Sequence, residues 1–363
     1  MVADPALSRL INQVQVAASD RAPLDIRGGG SKSFYGGEPV GEPLDVTPLA
    51  GISSYEPSEL VVTVRAGTKL SDLEAVLAEK GQCLPFEPPR FAASGTVGGM
   101  VAAGMAGPAR AAVGGVRDYV LGATMINGRA ELLSFGGQVM KNVAGYDVSR
   151  VLAGSMGIFG VICEVSLKVL PIPPASVTLR LEMDAGSAIR RLNEWGGQPL
   201  PLNASAWWDG MLVLRLSGAE AAVKAAQDKI GGELIAPAAA LPFWQGMRDH
   251  SDEFFVGASR AVDGGACLWR LSVPATAGPL KLSGEQLLEW GGAQRWICTS
   301  APAQTLRDVA AAVGGHAVLF RARDKSAATF APLKPALAAV HQQLKQAFDP
   351  ERIFNPGRLV PGL

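Results

Sequence analysis

Glycine is concentrated in one stretch of this chain, and that concentration limits what the first half can fold into. The chain has 363 residues and 43 glycines, many of them crowded between Gly28 and Gly160. Glycine adopts positive φ angles easily and lets a ligand or another segment approach the backbone closely. No fixed period of about 20–50 residues separates these glycines, which argues against a solenoid. We therefore interpret them as loops at the ends of short strands.

The composition predicts a folded protein of about two domains. Apolar residues make up 48% of the chain and charged residues 18%, so a sizeable core can be buried. The 33 basic and 33 acidic residues balance, which argues against a nucleic-acid partner. No apolar run reaches the roughly 18 residues of a transmembrane segment, and the polar residues near the start argue against a secretory signal. The four scattered cysteines are expected to be buried, reduced thiols.

Short apolar runs predict strands in the first half, and periodic apolar positions predict short helices. The predicted strands are Leu24–Arg27, Leu60–Arg65, Gly122–Ile126, Glu131–Phe135 and Gly160–Val169, and the predicted helices are Leu70–Lys80 and a short one at Val148–Leu152.

The three prolines within residues 170–174 stiffen the chain and predict a domain boundary there. Beyond this point a strand–helix–strand–strand–helix order predicts an antiparallel sheet covered on one face by helices. The pair Asp209-Gly210 predicts a tight hairpin inside this sheet. We therefore divide the chain into residues 1–173, 174–331 and 332–363.

The first glycine loop follows a predicted strand and is suited to bind a diphosphate. It contains Gly28, Gly29 and Gly30, followed by Ser31 and Lys32. Glycines can turn successive N–H groups toward one point, and such a concave set of amides binds phosphate oxygens. The dinucleotide fingerprint is rejected, because a serine occupies the third glycine position and no helix can follow. No P-loop motif occurs; for this loop taken alone, a simple turn remains the alternative.

Three further glycine loops occupy predicted strand ends. The second spans residues 88–104, the third 114–122 and the fourth 154–162. Their small residues would let a flat aromatic ligand lie against the backbone. Together, the four loops predict an extended ligand with a phosphate end and a flat end.

These loops, in this order, resemble the FAD-binding domain of the vanillyl-alcohol oxidase and p-cresol methylhydroxylase (PCMH-type) flavoprotein family. The segment Val139–Gly157 resembles more specifically the E subunits of bacterial glycolate dehydrogenase, also called glycolate oxidase. The ending Phe348–Gly357 resembles the family's closing signature, which returns to the flavin domain. The resemblance is dense over residues 24–170 and clear again at the end. It implies an α+β fold: an FAD-binding domain of two small α+β subdomains, an antiparallel-sheet cap domain, and a C-terminal segment that packs back. Lys141 and Asp147 are expected to hold the fold.

The resemblance also implies which residues bind the cofactor. Arg27 to Lys32 would bind the pyrophosphate, residues 94–99 and 115–118 would line the ribityl and ring side, and residues 154–162 would approach the adenosine half. Asn355 is expected near the flavin ring. The implied set is Arg27, Gly28, Gly29, Gly30, Ser31, Lys32, Pro88, Ser94, Gly95, Thr96, Val97, Gly98, Gly99, Gly115, Arg117, Asp118, Gly154, Ser155, Gly157, Gly160, Val161, Ile162 and Asn355.

Two departures from the wider family's pattern refine the expectation. Relatives that attach FAD covalently in the first loop use a histidine there, whereas this chain has Ser31 and Lys32. The prediction is therefore a non-covalent FAD. The only histidines are His250, His316 and His341, which lack the spacing of metal ligands. The sequence predicts no metal site.

Oxidation of a 2-hydroxy acid needs a cation for the carboxylate, a base for the hydroxyl proton and a hydride acceptor. The best cluster for this chemistry is His316, Arg321 and Arg323 on one predicted strand. Strand periodicity places Arg321 and Arg323 on one face and His316 on the other. We name His316 and Arg321 as candidate catalytic residues, with Arg270 as a second anion-binding option and a solvated edge strand as the alternative.

The resemblance predicts an FAD-binding subunit of a glycolate (2-hydroxy acid) dehydrogenase. It implies two partners, a D-type flavoprotein and an iron–sulfur subunit, and a cytoplasmic location peripheral to the inner membrane through these partners. Either this chain oxidises the substrate, or it is a flavin-binding relay or assembly subunit. A third alternative is a stand-alone oxidase of a sugar acid or alditol.

Overall fold

A computed structural model describes residues 4–137 and 147–363. The chain divides into two compact units. The first comprises Met1–Met105, Gly115–Pro171 and Pro332–Leu363, and the second comprises Ala106–Gly114 and Ile172–Ala331. Part of the segment Val139–Gly157, including Lys141, lies outside the described residues.

The elements are numbered along the chain. Those of the first unit are α1 (Pro5–Asp20), β1 (Leu24–Arg27), β2 (Glu42–Asp45), β3 (Ile52–Glu56), β4 (Val61–Arg65), α2 (Leu70–Glu79), β5 (Gln82–Cys83), α3 (Val97–Ala103), α5 (Val116–Tyr119), β6 (Val120–Ile126), β7 (Leu132–Gly136), α6 (Val148–Val151), β8 (Val161–Lys168), β9 (Leu170–Pro171) and α12 (Pro335–Phe348).

Those of the second unit are α4 (Arg110–Val113), β10 (Ala175–Glu182), α7 (Ala185–Gly196), β11 (Leu202–Trp208), β12 (Met211–Gly218), α8 (Glu220–Ile230), β13 (Glu233–Ile235), α9 (Pro237–Asp249), α10 (Glu253–Asp263), β14 (Cys267–Ser272), β15 (Glu285–Glu289), β16 (Gln294–Thr299), α11 (Ala303–Ala312) and β17 (His316–Arg321).

The first unit contains a small parallel pair of strands and a larger antiparallel sheet. Strand β1 pairs with β2, while the antiparallel sheet has the order β3-β4-β8-β6-β7. The five strands predicted for this half are confirmed: Leu24–Arg27 has the predicted bounds, and the bounds of the other four are shifted by one or two residues. Helix α1 buries Leu10, Val14 and Ala17 against the β1–β2 layer, as its apolar period requires.

The second glycine loop differs from the prediction, because residues 97–103 form helix α3. Thr96 caps this helix by accepting a hydrogen bond from the N–H of Gly99. A Cβ built on Gly98 would lie 2.7 Å from that of Ala66, so the absence of a side chain permits close packing. Tertiary packing thus overrides the poor helix propensity of the two glycines.

The C-terminal segment returns to the first unit through buried polar contacts. Lys345 and Asp349 are fully buried and form an ion pair at 2.7 Å. The ammonium of Lys345 also donates to the carbonyl oxygens of Ile158 and Phe354. Asp349 in turn accepts from the N–H groups of Ile353 and Phe354. This network fixes the end of α12 to the fourth glycine loop.

The second unit is built on one eight-stranded antiparallel sheet, of order β13-β10-β12-β11-β15-β16-β14-β17. Its first half follows the predicted strand–helix–strand–strand–helix pattern, with α7 and α8 packed on β10 and β12. The predicted hairpin at Asp209-Gly210 is confirmed, with φ angles of 46° and 77° at the two residues. Helix α11 covers one face of β14, β16 and β17. Helices α9 and α10 and strands β13 and β15 are among the elements that were not predicted from the sequence.

Candidate functional site

A cavity of about 370 Å³ lies in the first unit, where three of the four glycine loops meet. Its wall comes from the end of β1 and the loop that follows, the start of α3, the loop before β8, and the C-terminal segment. A volume of this size is typical of small-molecule and cofactor sites.

The first loop reaches the second loop through backbone contact that only glycine allows. A Cβ built on Gly29 would lie 1.4 Å from the carbonyl oxygen of Ser94, and one on Gly28 would lie 2.2 Å from Oγ1 of Thr96. The Ser94 hydroxyl donates to the carbonyl oxygen of Gly29 at 2.6 Å. Gly30 has a φ of +68°, in the region that favours glycine. The two loops therefore form one wall of the cavity.

The fourth loop is tied to the first by Asn355. Its side-chain amide donates to the carbonyl oxygen of Met156 at 2.6 Å, and its side-chain oxygen accepts from the N–H of Ile26 at 2.7 Å. A Cβ on Gly157 would lie 2.6 Å from this amide nitrogen, so the contact requires glycine. Asn355 thus sets the distance between β1 and the fourth loop across the cavity.

Four charged side chains line the cavity: Asp25, Arg27, Lys32 and Arg358. Arg27 forms an ion pair with Asp25. Lys32 and Arg358 are 9% and 6% exposed, which is low for cations. Burial lowers the pKa of Arg358, while the nearby carboxylates of Asp25 and Glu38 oppose this shift. The positive charges outnumber the negative one, so the cavity suits an anionic ligand.

The structure brings many of the predicted cofactor residues together. Thirteen of them line the cavity: Arg27, Gly28, Gly29, Gly30, Ser31, Lys32, Thr96, Gly98, Gly99, Gly157, Gly160, Ile162 and Asn355.

The other predicted cofactor residues lie outside this lining and hold the loops or helices around it. Asp118 accepts from the N–H of Gly115 and so begins α5. The N–H of Gly154 donates to the carbonyl oxygen of Val101. Outside the lining are Pro88, Ser94, Gly95, Val97, Gly115, Arg117, Asp118, Gly154, Ser155 and Val161.

Sequence reasoning missed several lining residues, of which Arg358 carries the most chemistry. Arg358 follows directly after the ending Asn355-Pro-Gly357, so extending that motif by one residue would have included it. Met156 lies inside the predicted fourth loop but was not named as a cofactor residue, and Pro39 carried no signal in the sequence.

The candidate catalytic pair is not brought together by the strand that carries it. His316 begins β17 opposite Ser272, and Arg321 ends it opposite Leu268. The two residues are five steps apart along the strand, so their Cα atoms are about 16 Å apart. His316 is exposed at the start of the strand, and partial desolvation, followed by the charge of Arg270, lowers its pKa. Burial lowers the pKa of Arg321. Arg323 lies beyond the strand.

Arg321 and Arg270 instead act electrostatically on His250. Its ring stacks on Phe255 with centroids 3.9 Å apart and lies edge-on to Trp296 at 4.8 Å. Burial, then the charges of Arg321 and Arg270, hold the pKa of His250 well below its usual value. The second unit therefore holds a neutral imidazole near two arginines, which the sequence analysis did not predict.

Among residues 4–137 and 147–363, no group of three or more His, Cys, Asp or Glu side chains is placed to hold a metal ion. Within the same ranges, no helix is long and apolar enough to span a membrane. The four cysteines are free thiols, and burial raises the pKa of Cys83 to about 11 and that of Cys163 to about 12.

Comparison with known proteins assigns the chain to a family. Residues 7–136 match a family profile described as an FAD binding domain. Over 354 residues the chain is 47% identical to the glycolate oxidase subunit GlcE of Escherichia coli (strain K12), a match that covers 98% of this chain and 97% of that protein. The chain belongs to the GlcE family. This result confirms the predicted PCMH-type resemblance, the FAD cofactor and an oxidoreductase acting on CH–OH groups.

Other relatives match about half of the chain at lower identity. The D-lactate dehydrogenase of Anaerostipes hadrus is 30% identical over 175 residues, which cover 48% of this chain and 35% of that protein. The glycolate oxidase subunit GlcD of Bacillus subtilis (strain 168) is 29% identical over 175 residues, covering 48% and 36%.

The GlcE-family chain also resembles a solved structure of alkyldihydroxyacetonephosphate synthase. The TM-score is 0.69 at 14% identity, with 96% of this chain and 74% of that chain covered. At this identity the likeness shows the fold alone. It confirms the predicted α+β fold class of PCMH type with an antiparallel-sheet domain.

Proposed function

We propose that this chain is the FAD-binding subunit of a glycolate (2-hydroxy acid) dehydrogenase complex, which oxidises glycolate to glyoxylate. The observation that carries the proposal is the full-length match to a glycolate oxidase subunit. The glycine-lined, cationic cavity of the first unit supports the cofactor part of it. The second unit, within residues 174–331, would form the substrate domain.

The cavity residues fit FAD in shape and charge. The glycines of the first and fourth loops leave room for backbone N–H groups to approach a diphosphate. Ser31 and Lys32 stand where covalent relatives carry a histidine, and no cysteine is among the lining residues, so we expect non-covalent binding. When bound, FAD supplies the acceptor for the hydride that leaves the substrate.

The cations of the second unit are candidates for the substrate carboxylate. Arg321 and Arg270 both act on the imidazole of His250, so their charges converge on one region of the sheet. His316 remains the candidate base, since its lowered pKa keeps the imidazole neutral near pH 7 and able to accept the hydroxyl proton. Arg321 would hold the carboxylate as the anion-binding group.

A relay or assembly subunit is the second candidate function, and one observation favours it. His316 and Arg321 lie at opposite ends of β17, about 16 Å apart. One small 2-hydroxy acid cannot contact both side chains unless they reach toward each other. In that case the D-type flavoprotein partner would perform the hydride transfer, and this chain would hold a second flavin. No observation favours a stand-alone oxidase of a sugar acid or alditol.

The electron path and the location are part of the same proposal. Electrons would leave the flavin for an iron–sulfur subunit, because no cluster of cysteines among the described residues could hold iron and sulfur. The complex would lie at the cytoplasmic side of the inner membrane through its partners.

Anaerobic mixing of the isolated, FAD-loaded chain with glycolate separates the two functions. Loss of the oxidised flavin absorbance without partners is expected if this chain is the dehydrogenase. Loss of absorbance only after the D-type partner is added would identify a relay. If the tagged chain, recovered from cells, lacks a cysteine-rich iron–sulfur protein, the assignment to a complex fails.

A further inference from the structure

Arg358 places a buried cation from the C-terminal segment in the wall of the cofactor cavity. Its side chain is 6% exposed and lines the same cavity as the first glycine loop. The chain reaches this position only after passing through the second unit and helix α12. Burial of this cation costs desolvation free energy, so an interaction inside the cavity must compensate it.

Backbone contacts hold Arg358 against the far end of the first loop. Its Nη1 donates to the carbonyl oxygens of Ser33 and Gly37, and the N–H of Gly37 donates to the carbonyl oxygen of Arg358 at 2.9 Å. A Cβ on Gly37 would lie 2.2 Å from the carbonyl oxygen of Gly357. The position of the guanidinium is therefore fixed relative to the loop.

Part of the guanidinium is left for a ligand. An arginine has five N–H donors, and the described hydrogen bonds of Arg358 use only Nη1. Nε and Nη2 have no acceptor among residues 4–137 and 147–363. Both belong to a side chain that faces the cavity.

The charge of the cavity lining matches a diphosphate. The lining holds three cations and one carboxylate, a net charge of +2, and the carboxylate of Asp25 already pairs with Arg27. The diphosphate of FAD carries two negative charges. Arg358 forms no ion pair with a carboxylate among residues 4–137 and 147–363, although the charges of Asp25 and Glu38 act on it from a distance. An anion that binds beside such a buried cation compensates its charge.

We propose that Arg358 binds the diphosphate of FAD, so that the C-terminal segment forms part of the cofactor site. The proposal rests on the FAD site of the proposed function and adds a residue that closes it from the end of the chain. The first loop supplies amides and Arg358 supplies a fixed cation. Arg358 is thus a cofactor-binding residue rather than only a support for the loop.

The test compares FAD affinity in three purified proteins freed of flavin: wild type, Arg358→Gln and Arg352→Gln. Glutamine can still donate to the carbonyl oxygens of Ser33 and Gly37 but carries no charge. Arg352 is the matched control, since it is exposed on the same segment and bonds to Gly362 and Gln342 instead. Dissociation constants are measured by flavin fluorescence at increasing KCl, and thermal unfolding of the flavin-free proteins checks the fold.

We expect Arg358→Gln to weaken FAD binding by about 10- to 100-fold, as for loss of a charge-assisted contact. Its affinity should also depend less on KCl, because one screened charge pair is missing. Arg352→Gln should match wild type. Wild-type affinity in Arg358→Gln overturns the proposal, and so does weaker binding with an unchanged salt dependence, which would indicate a structural role.

A second variant, Arg358→Lys, tests the same proposal if Arg358→Gln does not fold. Arg358→Lys keeps the charge and should keep the wild-type salt dependence; a shallower dependence overturns the proposal. If the wild-type chain itself takes up no FAD, the proposed function fails, and that result is distinct from a failure of Arg358 alone.

Discussion

At the scale of single residues, glycines that lack a side chain shape the cofactor cavity as much as charged and polar side chains do. Gly28 and Gly29 contact Thr96 and Ser94 at distances that no Cβ could share. The sequence analysis interpreted these glycines through their φ angles and amides. The structure adds a contact between two loops, which depends on a partner far along the chain and could not be inferred from local sequence.

Gly29→Val tests this contact directly. The branched side chain would overlap the carbonyl group of Ser94, so the two loops must separate and the wall of the cavity opens. We expect FAD to be lost while most of the fold is kept, measured as flavin content and far-UV circular dichroism of the purified variant.

Gly257→Ala is the control for Gly29→Val, because a Cβ there meets no atom within 4 Å. Gly257 lies inside helix α10, so the substitution should raise the free energy of unfolding by about 0.5–1 kcal/mol. If Gly29→Val stays fully yellow, the assignment of the first loop is wrong.

At the scale of elements, the strands of the first unit were predictable because apolar runs mark them. Helix α3 was not predictable, because its two glycines have a low helix propensity and the helix is stabilised by packing against Ala66. Asn355 was expected near the flavin ring, and the structure shows that it bridges β1 and the fourth loop. Such pairings join residues over 190 positions apart, which no local pattern reveals.

The buried pair in helix α12 provides a stability prediction. Lys345→Met would leave the carboxylate of Asp349 buried without its counter-ion and the carbonyl oxygen of Ile158 without its donor. We expect a loss of about 3–5 kcal/mol in the free energy of unfolding, measured by denaturant titration.

Lys224→Met supplies the comparison for that prediction. Lys224 pairs with Asp228 on the exposed face of α8, at the same i,i+4 spacing as the buried pair. Loss of this exposed ion pair should lower the free energy of unfolding by no more than about 0.5 kcal/mol. Equal destabilisation by the two variants would contradict the role given to burial.

The junction of α9 and α10 predicts a dependence of stability on pH. His250 has a folded-state pKa well below its ordinary 6.5, from burial and the charges of Arg321 and Arg270. The unfolded chain therefore binds the proton first as the pH falls, and stability is lost below about pH 6.5. His250→Asn, which suits the positive φ of 56° at this position, should flatten that acid-side slope.

Urea titrations at several pH values between about 5 and 7.5 measure this effect, with a slope of at most about 1.4 kcal/mol per pH unit from one group. His341→Asn controls for histidine removal, because that ring is on α12 in the first unit. An unchanged slope in His250→Asn would show that the imidazole is not the group responsible.

At the scale of the whole molecule, the first unit closes only when the end of the chain returns to its beginning. Leu24 bridges Phe354, and Asn355, Lys345 and Arg358 each bond to a glycine loop or its neighbour. The sequence predicted this return from the ending Asn-Pro-Gly. It also predicted Asn355 at the cofactor, but it did not predict Arg358, because lining depends on the depth at which each side chain packs.

The division into two units also limits what the sequence could say about catalysis. The strand pattern predicted β17 as an element, and the role of His316 and Arg321 stays a prediction. The pattern could not predict that Arg321 and Arg270 lie near His250, because α9 and α10 were not predicted. His250 follows the end of α9, and Phe255, which stacks on its ring, lies in α10.

The absorbance spectrum of the purified chain, before and after acid precipitation, shows whether the first unit binds FAD without a covalent bond. We expect the bands of oxidised flavin at about one FAD per chain, all of it released into the supernatant by acid. A colourless protein that takes up no FAD on reconstitution would contradict the cofactor site. Flavin that stays with the precipitate would contradict non-covalent binding.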